Sequence, residues 1–245
     1  MDELLTVRRG LLPYEDARRL QREIERARQA GAVPDVLLLL EHPPVYTKGR
    51  RTTTDELPMG EDWYRRQGIE VLETDRGGRV TYHGPGQLVG YPIVSLSAFG
   101  NRAAPGRDAE AAARMGVVDY IRRMERVIIG ALRDWGVEAE VVEGLTGVWT
   151  PERRKIGSIG VHVSRGVTTH GFAINVNNDL QPFEWIVPCG IESCRMTSLT
   201  RELGAEQDLD AFATTVRDRF GEIYGREPRE VSTEELAAAL EPALA

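Results

Sequence analysis

The chain has 245 residues, of which 41% are hydrophobic and 28% charged, which is typical of a globular protein with a substantial core. Its formal net charge of −7 argues against a dedicated nucleic-acid partner. No basic and apolar signal region opens the sequence, and its longest apolar run, residues 36–40, is too short for a membrane span. Two cysteines cannot form a disulfide framework. We therefore expect a cytoplasmic protein with no nucleic-acid and no membrane partner.

The first part of the chain predicts one helix, one buried strand and a hairpin-rich sheet. Residues 13–31, PYEDARRLQREIERARQAG, predict a helix because a proline and two acids suit its first turn and a glycine ends it. DVLLLLEHP, residues 35–43, predicts a buried strand. Residues 69–78 and 79–96 combine β-branched runs with glycine turns, which predicts hairpins.

The second part predicts a long helix, a second group of strands and a helical tail. The helix runs from Asp108 to about Trp135, and its apolar stripe comprises Val117, Val118, Ile121, Met124, Ile128 and Leu132. Short β-branched runs from Val137 to Val176, the first of them VEAEVV, predict antiparallel strands. In the tail, Ser232 and Glu235 have the spacing of a capping box. This order of elements predicts an α+β fold, with helices that cover mixed or antiparallel sheets.

The stretch RGGRVTYHGPGQ, residues 76–87, is rich in glycine without matching a nucleotide-binding loop. It lacks the Gly-Lys-Ser/Thr ending of a phosphate loop, and no helix pattern follows it as in a dinucleotide site. Gly77 and Gly78 allow a ligand to approach the backbone, although a plain tight hairpin has the same composition. His83 and His170 each precede a glycine in a chain of only four histidines, which favours a site shared by the two.

The segment IVPCGIESC, residues 186–194, holds both cysteines. A cysteine attacks carbonyls as a thiolate, so a catalytic Cys189 needs a cation or base close to it. Lys155 is the candidate, because lysine is rare here and Gly157 and Gly160 interrupt its strand, which indicates close packing.

Three other interpretations of Cys189 remain open from the residues. A zinc site would combine it with Cys194, His83 and His170, although the CxxxxC spacing is poor for a zinc finger. A disulfide between the two cysteines is disfavoured in a reducing compartment. A buried apolar thiol is the common state of any cysteine, and for Cys194 we keep that interpretation.

Three segments together resemble one enzyme family. They are RGGRVTYHGPGQLVGYP at 76–92, RRKIGSIGVHVSRGVTTHGFAINVNNDL at 153–180, and FEWIVPCGI with MTSL between 183 and 199. In this order they are similar to the lipoyl(octanoyl) transferases of lipoate biosynthesis. The resemblance implies the α+β fold shared by the lipoate and biotin protein ligases. We expect a single catalytic domain over 1–245, with a core of about 36–203 and a helical tail of about 207–245.

The resemblance also implies an activity and its partners. The expected reaction moves an octanoyl group from acyl carrier protein to a specific lysine of a lipoyl domain through a cysteine thioester. The acceptors would be the lipoyl domains of 2-oxoacid dehydrogenase complexes and the glycine cleavage H protein. No metal and no cofactor is expected, since the donor is carried on the phosphopantetheine of the carrier. An ATP-dependent lipoate or biotin protein ligase is the alternative on the same fold, and a noncatalytic acyl-binding protein is another.

Site residues follow from the resemblance residue by residue. Cys189 resembles the acyl-thioester nucleophile, and Lys155 resembles the partner that lowers the pKa of its thiol. The acyl-binding walls correspond to Arg76, Gly77, Gly78, Arg79, Val80, Thr81, Tyr82 and His83, to Ser158, Ile159 and Gly160, and to Gly171, Phe172 and Ala173, with His170 assigned to the same site. An extra loop at about 99–112 and the second cysteine depart from the family pattern. The pairs Arg50-Arg51 and Arg153-Arg154 are expected to attract acidic partner proteins.

Overall fold

The computed structural model describes residues 2–99, 115–187 and 194–244. Cys189 and nearly all of the extra loop at 99–112 lie outside these ranges. The strands are β1 Asp2–Leu11, β2 Asp35–Glu41, β3 Val45–Lys48, β4 Glu70–Glu73, β5 Thr81–His83, β6 Gln87–Ile93, β7 Val148–Trp149, β8 Arg154–Ser164, β9 Val167–Asn175, β10 Arg195–Met196 and β11 Arg226–Glu230. The helices are α1 Tyr14–Gln29, α2 Glu61–Arg66, α3 Val117–Asp134, α4 Gln181–Glu184, α5 Leu199–Leu203, α6 Leu209–Tyr224 and α7 Thr233–Leu244.

A large mixed sheet forms the centre of the molecule. Its strand order is β10-β8-β9-β6-β2-β1-β11, and β7 also pairs with β8. β6 is antiparallel to β2 and β9, β8 is antiparallel to β9, and β1 is parallel to both of its neighbours. The predicted α+β class is confirmed. None of the helices in the described ranges combines the length and apolarity needed to cross a membrane.

Both faces of the large sheet are covered. Along β2, Leu37 and Leu39 pack into a core with α3 and α6, whereas Leu38 and Leu40 pack into a second core with α1 and α7. This is the alternation that a strand buried on both sides requires. The helix predicted at 13–31 is confirmed as α1, and Gly31, just past its end, has a φ of 74°.

The two ends of the chain contain strands that the sequence did not predict. The charged start forms β1, in which Leu4, Leu5 and Val7 are buried. The tail, predicted to be helical, contains β11, which lies parallel to β1 at the edge of the sheet. The tail is therefore part of the sheet. Its capping box is supported, because the backbone N–H of Glu235 donates to Ser232 Oγ at 3.1 Å.

A second sheet of order β4-β3-β5 carries the glycine-rich stretch. The predicted hairpin between β5 and β6 is wrong. β5 pairs with β3 in the small sheet, whereas β6 pairs with β2 and β9 in the large one. Residues 84–86 therefore carry the chain from one sheet to the other.

Two further predictions need correction. VEAEVV forms no regular strand, and only Glu140 makes an isolated bridge with Trp149. The predicted helix before Trp135 is α3 from Val117 onward, and residues 108–114 lie outside the described ranges. Val117 and Val118 are exposed rather than part of the apolar stripe, because the buried face of α3 starts one turn later.

Candidate active site

A cavity of about 460 Å³ lies where β8 and β9 meet the glycine-rich loop and the start of α3. This volume falls in the range of about 300–1,000 Å³ that holds small ligands. Most of the residues assigned to the site from sequence line it: 76–79, Thr81, His83, Lys155, 158–160 and 170–173. Segments far apart in the chain therefore share one space.

The glycine-rich loop lies directly on β8. The N–H of Gly77 donates to the carbonyl of Val161 at 2.9 Å. A Cβ at Gly160 would lie 2.8 Å from the carbonyl oxygen of Gly77, closer than real side-chain contacts. Position 160 therefore needs glycine, and loop and strand meet here through backbone atoms.

Two arginines fix the loop from either side. Arg76 is buried, and its guanidinium donates to Thr47 Oγ1 at 2.8 Å and to the carbonyl of Gly77 at 3.1 Å. Arg79 forms an ion pair with the buried carboxylate of Glu56. These arginines anchor the loop to the small sheet and to the turn at 54–56, and they bring positive charge to the cavity wall.

Val80 and Tyr82 lie outside the cavity. Both belong to a hydrophobic cluster of the small sheet, where the ring of Tyr82 lies 5.4 Å from that of Phe183. Thr81 and His83, the alternate residues, line the cavity. The sequence motif is contiguous, but a strand sends successive side chains to opposite faces.

His83 is a buried, neutral hydrogen-bonding residue. Burial holds its pKa well below the ordinary histidine value. Its Nδ1 lies 2.7 Å from Gln87 Oε1, and its Nε2 lies 3.4 Å from Thr47 Oγ1. Since the amide of Gln87 donates to the carbonyl of Tyr82, its oxygen faces His83, and we assign the imidazole proton to Nδ1.

His170 connects the cavity to the start of the glycine-rich loop. Its φ of 57° is in the left-handed region, an uncommon conformation for a residue other than glycine. Its Nε2 donates to Asp75 Oδ1 at 2.8 Å, and Tyr14 Oη lies 3.4 Å from its Nδ1. Burial lowers the pKa of His170, and the hydrogen bond from His170 lowers the pKa of Asp75. The ring of Tyr14 also stacks on that of His83, with 6.1 Å between the ring centres. Tyr14 therefore contacts both histidines, and the three side chains form one cluster.

Lys155 is buried, with 2% of its surface exposed, and lines the cavity. It lies on β8 between β7 and β10, paired in register with Trp149 and Met196. Its Nζ lies 5.3 Å from the centre of the Trp149 ring, a cation–π arrangement. A buried lysine side chain at a cavity wall is the environment expected of a chemically active lysine.

The residues that flank the Cys189 segment contact the turn at 54–56 on one side and the strand that carries Lys155 on the other. Before it, the N–H of Val187 donates to the carbonyl of Glu56 at 3.0 Å. After it, Met196 pairs with Lys155, and Cys194 Sγ lies 3.8 Å from Met196 Sδ. Phe183, Ile186 and Met196 all pack into the small-sheet cluster. Both ends of the segment are therefore fixed beside the cavity.

Several cavity residues had not been predicted. Val117 and Ile121 come from α3, residues 144–146 form a loop across from β8, and Tyr14 and Tyr91 complete the inner wall. Tyr91 lies within the quoted segment 76–92 but was not singled out there, and the others belong to no motif, because they reach the site only through folding. Within the described ranges, no group of three or more His, Cys, Asp or Glu side chains has the arrangement of a metal site.

Comparisons with known proteins agree on the family. Residues 13–221 match the model of the lipoyl protein ligase A/B catalytic domain. The octanoyltransferase of Acidobacterium capsulatum is 42% identical over 225 residues, which cover 89% of each chain. That of Mycobacterium tuberculosis is 48% identical over 209 residues, or 84% of this chain and 81% of the relative.

The fold has solved relatives as well. The chain superposes on the bi-partite lipoate protein ligase of Thermoplasma acidophilum with a TM-score of 0.72, covering 99% of this chain and 92% of that one. At 18% identity this likeness shows the fold alone. The identities of 42% and 48% to the two octanoyltransferases confirm the resemblance drawn from the three sequence segments. The chain thus belongs to the lipoyl protein ligase A/B catalytic-domain family and, within it, to the octanoyltransferases, which are acyltransferases.

Proposed function

We propose that this chain transfers an octanoyl group from acyl carrier protein to a lysine of a lipoyl domain through a thioester on Cys189. The observation that carries the proposal is the buried Lys155 at the cavity, paired in register with Met196 at the exit of the Cys189 segment. Relatives named octanoyltransferase support the acyl group. No separate cofactor enters the reaction, and the acceptors are the lipoyl domains of 2-oxoacid dehydrogenase complexes and the glycine cleavage H protein.

In the first half-reaction, the Lys155 ammonium favours the thiolate of Cys189 by its opposite charge. The thiolate attacks the carbonyl carbon of the octanoyl thioester. The bond to the phosphopantetheine sulfur breaks, and that sulfur takes a proton from Lys155. One thioester replaces another, so the exchange is nearly balanced in free energy.

In the second half-reaction, the amine of the acceptor lysine attacks the acyl-Cys189 carbonyl. The amide forms, the Cys189 thiolate leaves, and neutral Lys155 takes the proton that the amine releases. Conversion of a thioester into an amide is downhill, so no nucleotide is consumed. The cycle restores the ammonium beside a thiolate.

The cavity wall suits an acyl chain next to this dyad. Ile159, Phe172 and Ala173 supply apolar surface close to Lys155 along β8 and β9. The N–H of Gly77 is engaged with Val161, so donors to the tetrahedral oxyanion come from other backbone groups of the site. One such donor is worth about 3 kcal/mol of transition-state stabilisation.

Intact-mass measurement after incubation with octanoyl-acyl carrier protein tests the nucleophile. We expect one octanoyl adduct on the wild-type chain and on Cys194→Ser, the matched control, and none on Cys189→Ser. An adduct that persists in Cys189→Ser would overturn the assignment.

Two measurements test the rest of the mechanism. Lys155→Arg keeps the positive charge but does not exchange a proton near neutral pH, so turnover should fall sharply; near-normal turnover would remove the acid–base role. Pyrophosphate release from ATP, with lipoylation that does not require Cys189, would instead identify a ligase.

A further inference from the structure

Helix α3 places a buried carboxylate on the same face as two cavity residues. Val117, Ile121 and Glu125 are spaced four residues apart, so they share one side of the helix. The first two line the cavity, and Glu125 is fully buried. One turn later, Ile128 lies against Gly157 of β8. This face of α3 therefore covers the strand that carries Lys155.

Glu125 is satisfied by two donors. The backbone N–H of Gly147 donates to its Oε1 at 3.1 Å, and Arg122 Nη1 donates to its Oε2 at 2.7 Å. The side chain of Arg122 is about half exposed (46%), so water also solvates this guanidinium. The hydrogen bond to Gly147 thus connects the buried Glu125 to the chain segment that precedes β7.

Gly147 in turn lies against the end of the Lys155 side chain. A Cβ at this glycine would lie 2.7 Å from Lys155 Cε, 3.3 Å from its Nζ and 2.6 Å from the carbonyl of Gly157. Its φ of 127° is a conformation that other residues rarely adopt. The chain therefore brings bare backbone against the lysine, and the preceding residues 144–146 continue as cavity wall.

We propose that Glu125 is a positioning residue for the transfer reaction, which acts by holding the N–H of Gly147 and thereby fixing the loop against which the Lys155 ammonium is packed. This inference rests on the function proposed above, in which Lys155 assists Cys189. Without an acceptor at position 125, Gly147 loses its hydrogen bond to α3. The loop then shifts, and the ammonium with it.

The test compares two substitutions of similar size. Glu125→Met fills the same volume without an acceptor, whereas Glu125→Gln keeps an oxygen that can accept from Gly147. Arg122→Gln removes the ion pair but leaves the bond to Gly147, and serves as the control. All are made in the Cys194→Ser background, so that Cys189 is the single thiol. The readouts are kcat and KM for octanoyl transfer, the pH profile of Cys189 alkylation by iodoacetamide, and the melting temperature.

We expect Glu125→Met to lower kcat about tenfold or more, the order of loss that a small misplacement of a catalytic group causes. Its KM for the acyl donor should stay within about twofold, and its alkylation profile should move to higher pH because the thiolate loses its aligned cation. Glu125→Gln should restore most of kcat and the profile, and Arg122→Gln should resemble the parent.

Two results would overturn the inference: a Glu125→Met chain that is only less heat-stable, with kcat and alkylation profile unchanged, or a Glu125→Gln chain as impaired as Glu125→Met. Failure of the proposed function would look different, because then the parent chain itself would form no Cys189 adduct. If Glu125→Met does not fold, Glu125→Gln and Arg122→Gln still test the proposal. The proposed role needs only a hydrogen-bond acceptor at position 125, so a strongly reduced kcat in Glu125→Gln would contradict it.

Discussion

Gly160→Ala tests whether the glycine-rich loop is held by direct backbone contact with β8. The added Cβ would lie 2.8 Å from the carbonyl oxygen of Gly77 and 3.2 Å from Arg76 Cδ. Arg76 cannot swing away freely, because its guanidinium is bonded to Thr47. The loop must therefore move by several tenths of an ångström, which strains the 2.9 Å hydrogen bond between Gly77 and Val161.

The expected cost follows from these contacts. Overpacking of this kind costs about 1–3 kcal/mol, and in a chain of this size each kcal/mol lowers the melting temperature by about 2–4 °C. Gly160→Ala should therefore melt roughly 2–12 °C below the parent. Gly10→Ala is the matched control, since its Cβ would meet nothing within 4 Å, and the same chemical change there should be nearly neutral.

Thermal unfolding and steady-state octanoyl transfer provide the assay. Because the displaced loop forms the wall of the cavity, KM for the acyl donor should rise more in Gly160→Ala than kcat falls. If the Gly160 and Gly10 variants melt together and share one KM, the contact between loop and strand does not shape the cavity, and the reasoning is refuted.

Three further results are expected. Burial lowers the pKa of His42 to about 4, so the unfolding free energy should fall by about 3 kcal/mol from this group as pH drops from ~6.5 towards 4. His42→Gln should reduce the slope of the unfolding free energy against pH over this interval, although His83 and His170 still contribute to it; an unchanged slope would contradict the assignment. Asp35→Ala removes the buried partner of Arg226, whose Nε lies 2.9 Å from the carboxylate, and should destabilise the chain by about 3–5 kcal/mol. Cys189 of the chain that remains folded should still take the octanoyl group. Loss of this loading in folded protein would contradict a purely structural role for Asp35. Arg50 and Arg51 are exposed. If they attract acyl carrier protein, the proposed donor, by its negative charge, kcat/KM should fall with salt in the wild type and less in the double alanine variant. A flat wild-type response would leave them as ordinary surface.

Local signals in the sequence explain which elements could be predicted. The helix α1 has a proline and acids at its start, glycine after its end and one apolar face, all within a few residues. β1 and β11 lack such a local signal, because they pair with each other across more than 200 residues, as Asp2 with Arg226. The sequence of β11, REPRE, is polar, and only its place at the sheet edge makes it a strand.

In the site, too, the residues with a local sequence signal could be predicted and those placed by distant contacts could not. Continuous motifs identified most of the cavity wall, including Lys155 and the residues around Gly160. They also assigned Val80 and Tyr82 to the cavity, although strand alternation turns both into the small-sheet cluster. Glu125 has no such signal, because the pattern that predicts α3 consists of its apolar residues alone. Its importance depends on Gly147, 22 residues away.

The site is assembled from both sheets, and Glu56 links the parts. Its carboxylate accepts from the N–H of Val80 at 3.2 Å and pairs with Arg79, while its carbonyl accepts from Val187, the last described residue before the Cys189 segment. A displacement of this turn would therefore move the glycine-rich loop and the entry to the Cys189 segment together. Lys155, by contrast, is fixed by the large sheet. In the mechanism proposed above, Lys155 and Cys189 act together, and their alignment then depends on the contact between the two sheets, where Gly160 allows the glycine-rich loop to lie directly on β8.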